Sequence, residues 1–136
     1  MTVSIQAIDS APGAVIKDLD VARLDDATWH EIYQAFLQYG VLVFPGQNDL
    51  DDAGQGNFAQ RFGNIEKLGP KQKGGTTQFS NTKPDGSLAQ PGEYQYELIH
   101  GNEGWHTDST YMPLASKAAM LFAIVVPPEA GETGFA

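Results

Sequence analysis

The segment from Leu24 to Gly46 constrains the fold more than any other part of this chain. Asp25 and Asp26 place acids where a helix would begin. Trp29, Ile32, Tyr33, Phe36 and Leu37 then recur at three- and four-residue spacing, which gives one apolar face. Gly40 is a natural C-terminal stop, and Val41-Leu42-Val43-Phe44 follows at once as an apolar run closed by Pro45-Gly46. The segment thus pairs a one-sided helix with a buried strand, and the fold class expected of the chain is α+β. Upstream, Val3, Ile5 and Ala7 alternate with polar residues as in a short strand. Pro12-Gly13 is a turn, and Ala14-Val15-Ile16 begins a second strand. A second helix is expected over about Asp51 to Phe62, burying Phe58 and Phe62 and ending at Gly63.

The second half reads less regularly. Residues 64 to 92 are polar, rich in Gly, Lys, Thr and Pro, and without clear periodicity. Such a run is more often a functional loop, a lid or disorder than part of a core. Gln95 to Ile99 is read as a strand, Gly101 to Asp108 as a loop, and Lys117 to Val126 as a buried strand in which Ala118 to Leu121 would also tolerate helix. Pro127-Pro128 ends that run. With 136 residues, no internal repeat and no linker, residues 1-136 are expected to form a single domain or part of one.

Composition removes several classes of function. The net charge of −9 and the pI near 4.5 argue against nucleic acid or an anionic membrane surface as partner. A small anionic substrate stays open, because four of the eight Lys and Arg residues (Lys67, Lys71, Lys73 and Lys83) fall between positions 67 and 83. There is no cysteine, so disulfides and thiolate metal sites are excluded and any metal must be held by His and Asp or Glu. No basic and apolar leader is visible at the N-terminus. The apolar run Ala118–Val126 is too short to span a bilayer, and a cytoplasmic protein is the expectation.

Trp105-His106-Thr107-Asp108 is the stretch that carries chemistry. In extended backbone, residues two apart face the same side, so His106 and Asp108 could grip one ion. An imidazole and a carboxylate are two thirds of the 2-His-1-carboxylate set that holds non-haem Fe(II). The spacing alone is equally compatible with a surface histidine hydrogen-bonded to a nearby aspartate. Of the other histidines, His30 falls in the first helix and His100 just before the motif, and neither is a good replacement for a missing ligand.

The surroundings of the dyad resemble the TauD/TfdA family of Fe(II)/2-oxoglutarate-dependent dioxygenases. Members share a W-H-x-D segment and, one strand later, a P-x-x-G-G-x-T segment. The latter reads Pro127-Pro128-Glu129-Ala130-Gly131-Glu132-Thr133 here, with Ala130 at the first glycine. Gly40-Val41-Leu42-Val43-Phe44-Pro45-Gly46-Gln47 and Ala59-Gln60-Arg61-Phe62-Gly63 resemble two upstream segments of the family, in the same order. The resemblance implies a β-dominated double-stranded β-helix (jelly-roll, cupin-like) with N-terminal helices, of which this chain carries only the N-terminal half. It implies Fe(II) held by His106 and Asp108, and 2-oxoglutarate as cosubstrate with one carboxylate on Thr133. Asn102 matches a position that often faces substrate; its alternative is a plain loop asparagine. Trp105 is expected to pack behind the site. Tyr111 is expected in the substrate pocket or the core. Lys71 is either a lid cation for a substrate carboxylate or sulfonate, or a solvated lysine.

The partners implied are O2 and a small organic molecule. The stretch Gly104–Pro113 looks like the phenoxyalkanoate dioxygenases, with the taurine and alkylsulfate branch as rival. The second iron-binding histidine and the arginine for the far carboxylate of 2-oxoglutarate belong to a distal half that this sequence does not contain. The 136-residue chain is therefore expected to be inactive alone, and its unpaired sheet edges to favour pairing with another chain, a second copy included. Two other readings are a non-catalytic binding module with a degenerate metal site, and a cupin-like metalloprotein that does not use 2-oxoglutarate.

Overall fold

A computed structural model describes residues 3–9, 11–67, 76–129 and 131–135. The chain divides into two units, Met1–Arg61 with Leu121–Ala136, and Phe62–Met120.

The first unit is built on a three-stranded sheet in the order β1 (Ser4–Ala7), β2 (Ala14–Lys17), β3 (Leu42–Val43). β1 and β2 are antiparallel, with Ile5 opposite Ile16 and Ala7 opposite Ala14. β2 and β3 are parallel, with Ala14 opposite Leu42 and Val15 opposite Val43. A parallel pair needs a long crossover, and α1 (Asp26–Tyr39) supplies it. The turn before β2 depends on Gly13, whose φ is 136°. A Cβ there would stand 3.2 Å from Ile8 Cδ1 and 3.3 Å from the Val41 carbonyl oxygen.

α1 forms where its spacing predicts. Asp25 is the N-cap, its Oδ1 accepting from the Thr28 N–H at 2.7 Å, and Gly40 closes the helix at φ 73° with its N–H on the Phe36 carbonyl. The buried stripe is Thr28, Ile32 and Ala35. Trp29, Tyr33 and Phe36 are half-buried beside it, and Leu37, expected on the apolar face, is exposed. α2 (Asp52–Gln60) is capped by Asp51, whose Oδ1 accepts from the Gly54 N–H at 2.7 Å. Phe58 of α2 is buried edge-on against Phe44 and Trp29, at ring-centroid distances of 5.5 and 6.0 Å. Replacing Asp51 by Ala should lower stability by about 1 kcal/mol, the usual worth of an N-cap side chain. The unfolding midpoint in urea reads this directly.

Two polar residues of the upstream motifs act as staples. The Gln47 amide donates to the carbonyls of Leu19 (2.6 Å) and Pro45 (3.1 Å), and its Oε1 accepts from the Val21 N–H at 3.0 Å. This satisfies backbone groups that no strand reaches. Arg61 lies over the Trp29 ring (5.2 Å to the centroid), donates to Asp26 Oδ1 at 2.6 Å and to the Leu24 carbonyl, and so ties the end of α2 to the start of α1.

In the second unit, residues 80–90 fold back on themselves. Thr82 bridges Leu88, the Lys83 N–H reaches the Ser87 carbonyl at 2.7 Å, and the Ala89 N–H reaches the Asn81 carbonyl at 2.8 Å. α3 (Tyr94–His100) follows. A strand over Gln95 to Ile99 is therefore corrected to helix. The helix is favoured by i,i+4 contacts: Tyr96 stacks on His100 with ring centroids 4.0 Å apart, and the Asn102 amide closes the end on the Leu98 carbonyl. Glu93 precedes it, pairing with Lys83 at 3.0 Å and accepting from the Gln90 N–H at 2.7 Å.

Two further expectations change. Lys117–Val126 has no ladder partner among the described residues, is not a strand, and leaves Leu121, Ile124, Val125 and Val126 exposed. An apolar run becomes a buried strand only where neighbouring backbone can pair with it. The Val41–Phe44 strand is shortened to Leu42–Val43, with Val43 exposed. Among the described residues helix outweighs strand, so the β-dominated character expected from the resemblance is not seen in them, nor is a jelly roll. No helix among the described residues is long and apolar enough to cross a membrane.

Acid titration probes the Asp25 cap and two further hydrogen-bonded carboxylates. Hydrogen bonds from the Thr28 side chain and N–H hold Asp25 below its ordinary 3.8. Ser87 does the same for Asp85, and the Gln90 N–H and then Lys83 hold Glu93 below its ordinary 4.5. Because the folded values are depressed, the stabilisation is complete above pH 4.5 and is lost as pH falls below 3.8 through those values. The urea midpoint is expected to be flat above pH 5 and to fall below about pH 4. Asp25→Asn should make the fall shallower.

Candidate metal centre

His106 and Asp108 lie on a loop of the second unit, rather than on a strand, between α3 and a turn at Ser109–Met112. The loop still brings them together: His106 Nε2 stands 3.2 Å from Asp108 Oδ1, and both side chains are about half exposed. His106 Nδ1 is 2.7 Å from the Gly104 carbonyl oxygen. A carbonyl can only accept, so Nδ1 carries the hydrogen and Nε2 is the nitrogen left to bind. The 3.2 Å spacing is also that of an ordinary histidine–carboxylate contact on a surface loop. Two ligands bound at about 2.1 Å and at right angles are about 3 Å apart, so the observed spacing suits adjacent corners of one coordination sphere. The donor chemistry, one imidazole nitrogen and one carboxylate oxygen, fits ferrous iron and manganese. Fixing the tautomer through a backbone carbonyl is the usual support for a metal-ligating histidine.

The described residues contain no group of three or more His, Asp or Glu side chains placed to share an ion. His100 is paired with Glu103 at 2.7 Å and stacked on Tyr96, and His30 is exposed on α1.

The other expected site residues are dispersed. The Asn102 side chain donates to the Leu98 carbonyl at 2.9 Å and its N–H to the Ile99 carbonyl at 3.0 Å, so it caps α3. Tyr111 is exposed. Trp105 is 80% exposed and does not pack behind the dyad as expected. Thr133 is exposed and belongs to the first unit. Lys71 lies outside the described residues. A cavity of about 210 Å³ in the second unit is lined by Asn81, Leu88, Gln90, Tyr96 and His100, among others. Sequence reasoning missed Glu66, whose carboxylate accepts from Ser109 and Ser116 beside the dyad. Nothing in the local pattern marks it, because its partners are 43 and 50 positions away.

The loop thus holds one imidazole nitrogen and one carboxylate oxygen 3.2 Å apart, two donors that a single ion could share. Residues 4–136 match the family described as Taurine catabolism dioxygenase TauD, TfdA family, and the chain belongs to that family. It is 42% identical over 134 residues to the (S)-phenoxypropionate/alpha-ketoglutarate-dioxygenase of Sphingobium herbicidovorans, covering 97% of this chain and 44% of that protein. It is 40% identical to the protein of the same name from Delftia acidovorans, covering 99% of this chain and 46% of that one. Among solved structures it is similar to AAD-2 in complex with Mn(II) and N-oxalylglycine, with a TM-score of 0.71 and 28% identity, over 85% of this chain and 39% of that one. The chain thus spans a little under half the length of these curated relatives.

Proposed function

We propose that this chain supplies the first two metal ligands of an Fe(II)/2-oxoglutarate-dependent dioxygenase acting on a small anionic organic substrate of the phenoxyalkanoate type. The observation that carries this reading is the dyad itself: Nε2 of His106 and Oδ1 of Asp108 are 3.2 Å apart, with Nδ1 held by Gly104. The names of the similar proteins support the substrate class.

In this reading Gly104 orients the imidazole, and Asp108 adds the negative charge that favours a divalent cation over water. Bound there, iron supplies the oxidative decarboxylation of 2-oxoglutarate to succinate and CO2, coupled to hydroxylation of a substrate C–H bond. Thr133 donates its hydroxyl to a 2-oxoglutarate carboxylate. Asn102 and Tyr111 face the substrate, and Lys71 offers its ammonium to the substrate carboxylate. Hydroxylation next to an ether oxygen gives a hemiacetal, which breaks down to a phenol and a 2-oxo acid. The fold of the whole protein is the double-stranded β-helix, with residues 1-136 as its N-terminal part.

The test uses a chain of the relatives' length, supplied with Fe(II), 2-oxoglutarate, O2 and (S)-phenoxypropionate. Stoichiometric succinate and phenol are expected. Succinate formed with an alkyl sulfate and not with the phenoxy acid would transfer the substrate assignment to the sulfate branch. No succinate with either would end the dioxygenase reading. The 136-residue chain, in which two donors converge among the described residues, is expected to bind metal weakly and not to turn over.

A further inference from the structure

Glu66 sits in the second unit, far from the dyad in sequence, yet its Oε2 accepts from both Ser109 Oγ and Ser116 Oγ, the latter at 2.9 Å. Ser109 directly follows Asp108. It is 7% exposed, whereas every residue from Gly101 to Asp108 is exposed. Its φ is 58°, in the left-handed region that a residue with a Cβ rarely adopts. Such backbone persists only where neighbouring contacts over-determine it, and here the Ser109 hydroxyl on Glu66 and the Met112 N–H on the Ser109 carbonyl (3.1 Å) do so. The other carboxylate oxygen, Oε1, is shut away from solvent and has no hydrogen-bond partner among the described residues. Leaving a buried carboxylate oxygen without a partner costs stability.

We propose that Glu66 is a positioning residue for the metal centre. It clamps Ser109 and Ser116 with one oxygen and thereby fixes the strained backbone from which Asp108 presents its carboxylate beside His106. This rests on the metal reading given under Proposed function. The clamp reaches the ion through Asp108 and does not touch it. Outer residues that orient metal ligands typically change affinity by about 10- to 100-fold when removed.

The test uses the 136-residue chain, Mn(II) as probe and hydrogen exchange at the Met112 amide. Glu66→Ala is expected to weaken Mn(II) binding about 10-fold and to speed Met112 exchange, with exchange at Gly40 and Gln55 unchanged. The Ser109→Ala/Ser116→Ala double variant, which keeps the carboxylate, should do the same and covers the case in which Glu66→Ala fails to fold. Glu66→Gln retains an acceptor oxygen for both hydroxyls and should restore most of the binding. Faster Met112 exchange with unchanged Mn(II) affinity would overturn the proposal, as would no change in either. If wild type and His106→Ala bound Mn(II) equally, both this proposal and the metal reading would fall. If His106→Ala lost binding and the double variant did not, the clamp alone would fall.

Discussion

Replacing His106 by Ala is expected to abolish the weak affinity of this chain for Fe(II) or Mn(II), leaving no saturable binding. The reason is the small number of donors. Only two ligating side chains converge at the centre among the described residues, so removing one leaves a single carboxylate in competition with water. The Asp108 side chain is 61% exposed, which makes that competition severe. His106→Ala is not expected to unfold the chain, because the ring is about half exposed and its one hydrogen bond beyond the dyad is to the nearby Gly104 carbonyl. Isothermal titration with Mn(II) measures the loss, and far-ultraviolet circular dichroism should be unchanged. An affinity within about threefold of wild type would remove His106 from the ligand set.

The largest effect on stability is expected at Phe58. Phe58→Ala should cost about 3–5 kcal/mol, the range for emptying a buried aromatic site. Phe58 is 4% exposed and meets Phe44 and Trp29 edge-on, so truncation removes both the buried area and two ring–ring contacts. It also loosens α2, in which Gly54 and Gly56 already weaken the helix, leaving Phe58 as its buried anchor. Urea unfolding followed by tryptophan fluorescence reads the change, since Trp29 touches the ring. A loss under about 1 kcal/mol would mean that the first unit does not depend on this cluster.

What could be read from the sequence follows from how locally each feature is encoded. α1 has its cap, its apolar stripe and its stop within sixteen residues, so Asp25, Ile32 and Gly40 could be placed without the fold. β1 and β2 were legible for the same reason: alternation and a Gly13 turn are short-range signals. α3 was misread because Gln95 to Ile99 is too short for periodicity to separate helix from strand. The Tyr96–His100 ring contact and the Asn102 cap that decide it are local i,i+4 contacts that an apolar pattern does not report. Lys117–Val126 was misread because an apolar run reports a wish for burial, not the presence of a pairing partner. At the site, His106 and Asp108 do meet, but on a half-exposed loop and not a strand, an arrangement shared by the metal pair and the surface hydrogen-bonded pair that the spacing left open. Glu66 was invisible because its meaning arises only when residues 43 and 50 positions apart are brought together.

His106 is the proposed metal-bound histidine, and the sequence offers a clean way to see it, since its only histidines are His30, His100 and His106. Pulsed electron paramagnetic resonance of Mn(II) bound to chain labelled with 15N-histidine detects a directly coordinated imidazole nitrogen. One such nitrogen is expected in wild type, retained in His30→Ala and His100→Ala and lost in His106→Ala. A coupling that survives in His106→Ala, or vanishes in His100→Ala, would contradict the assignment.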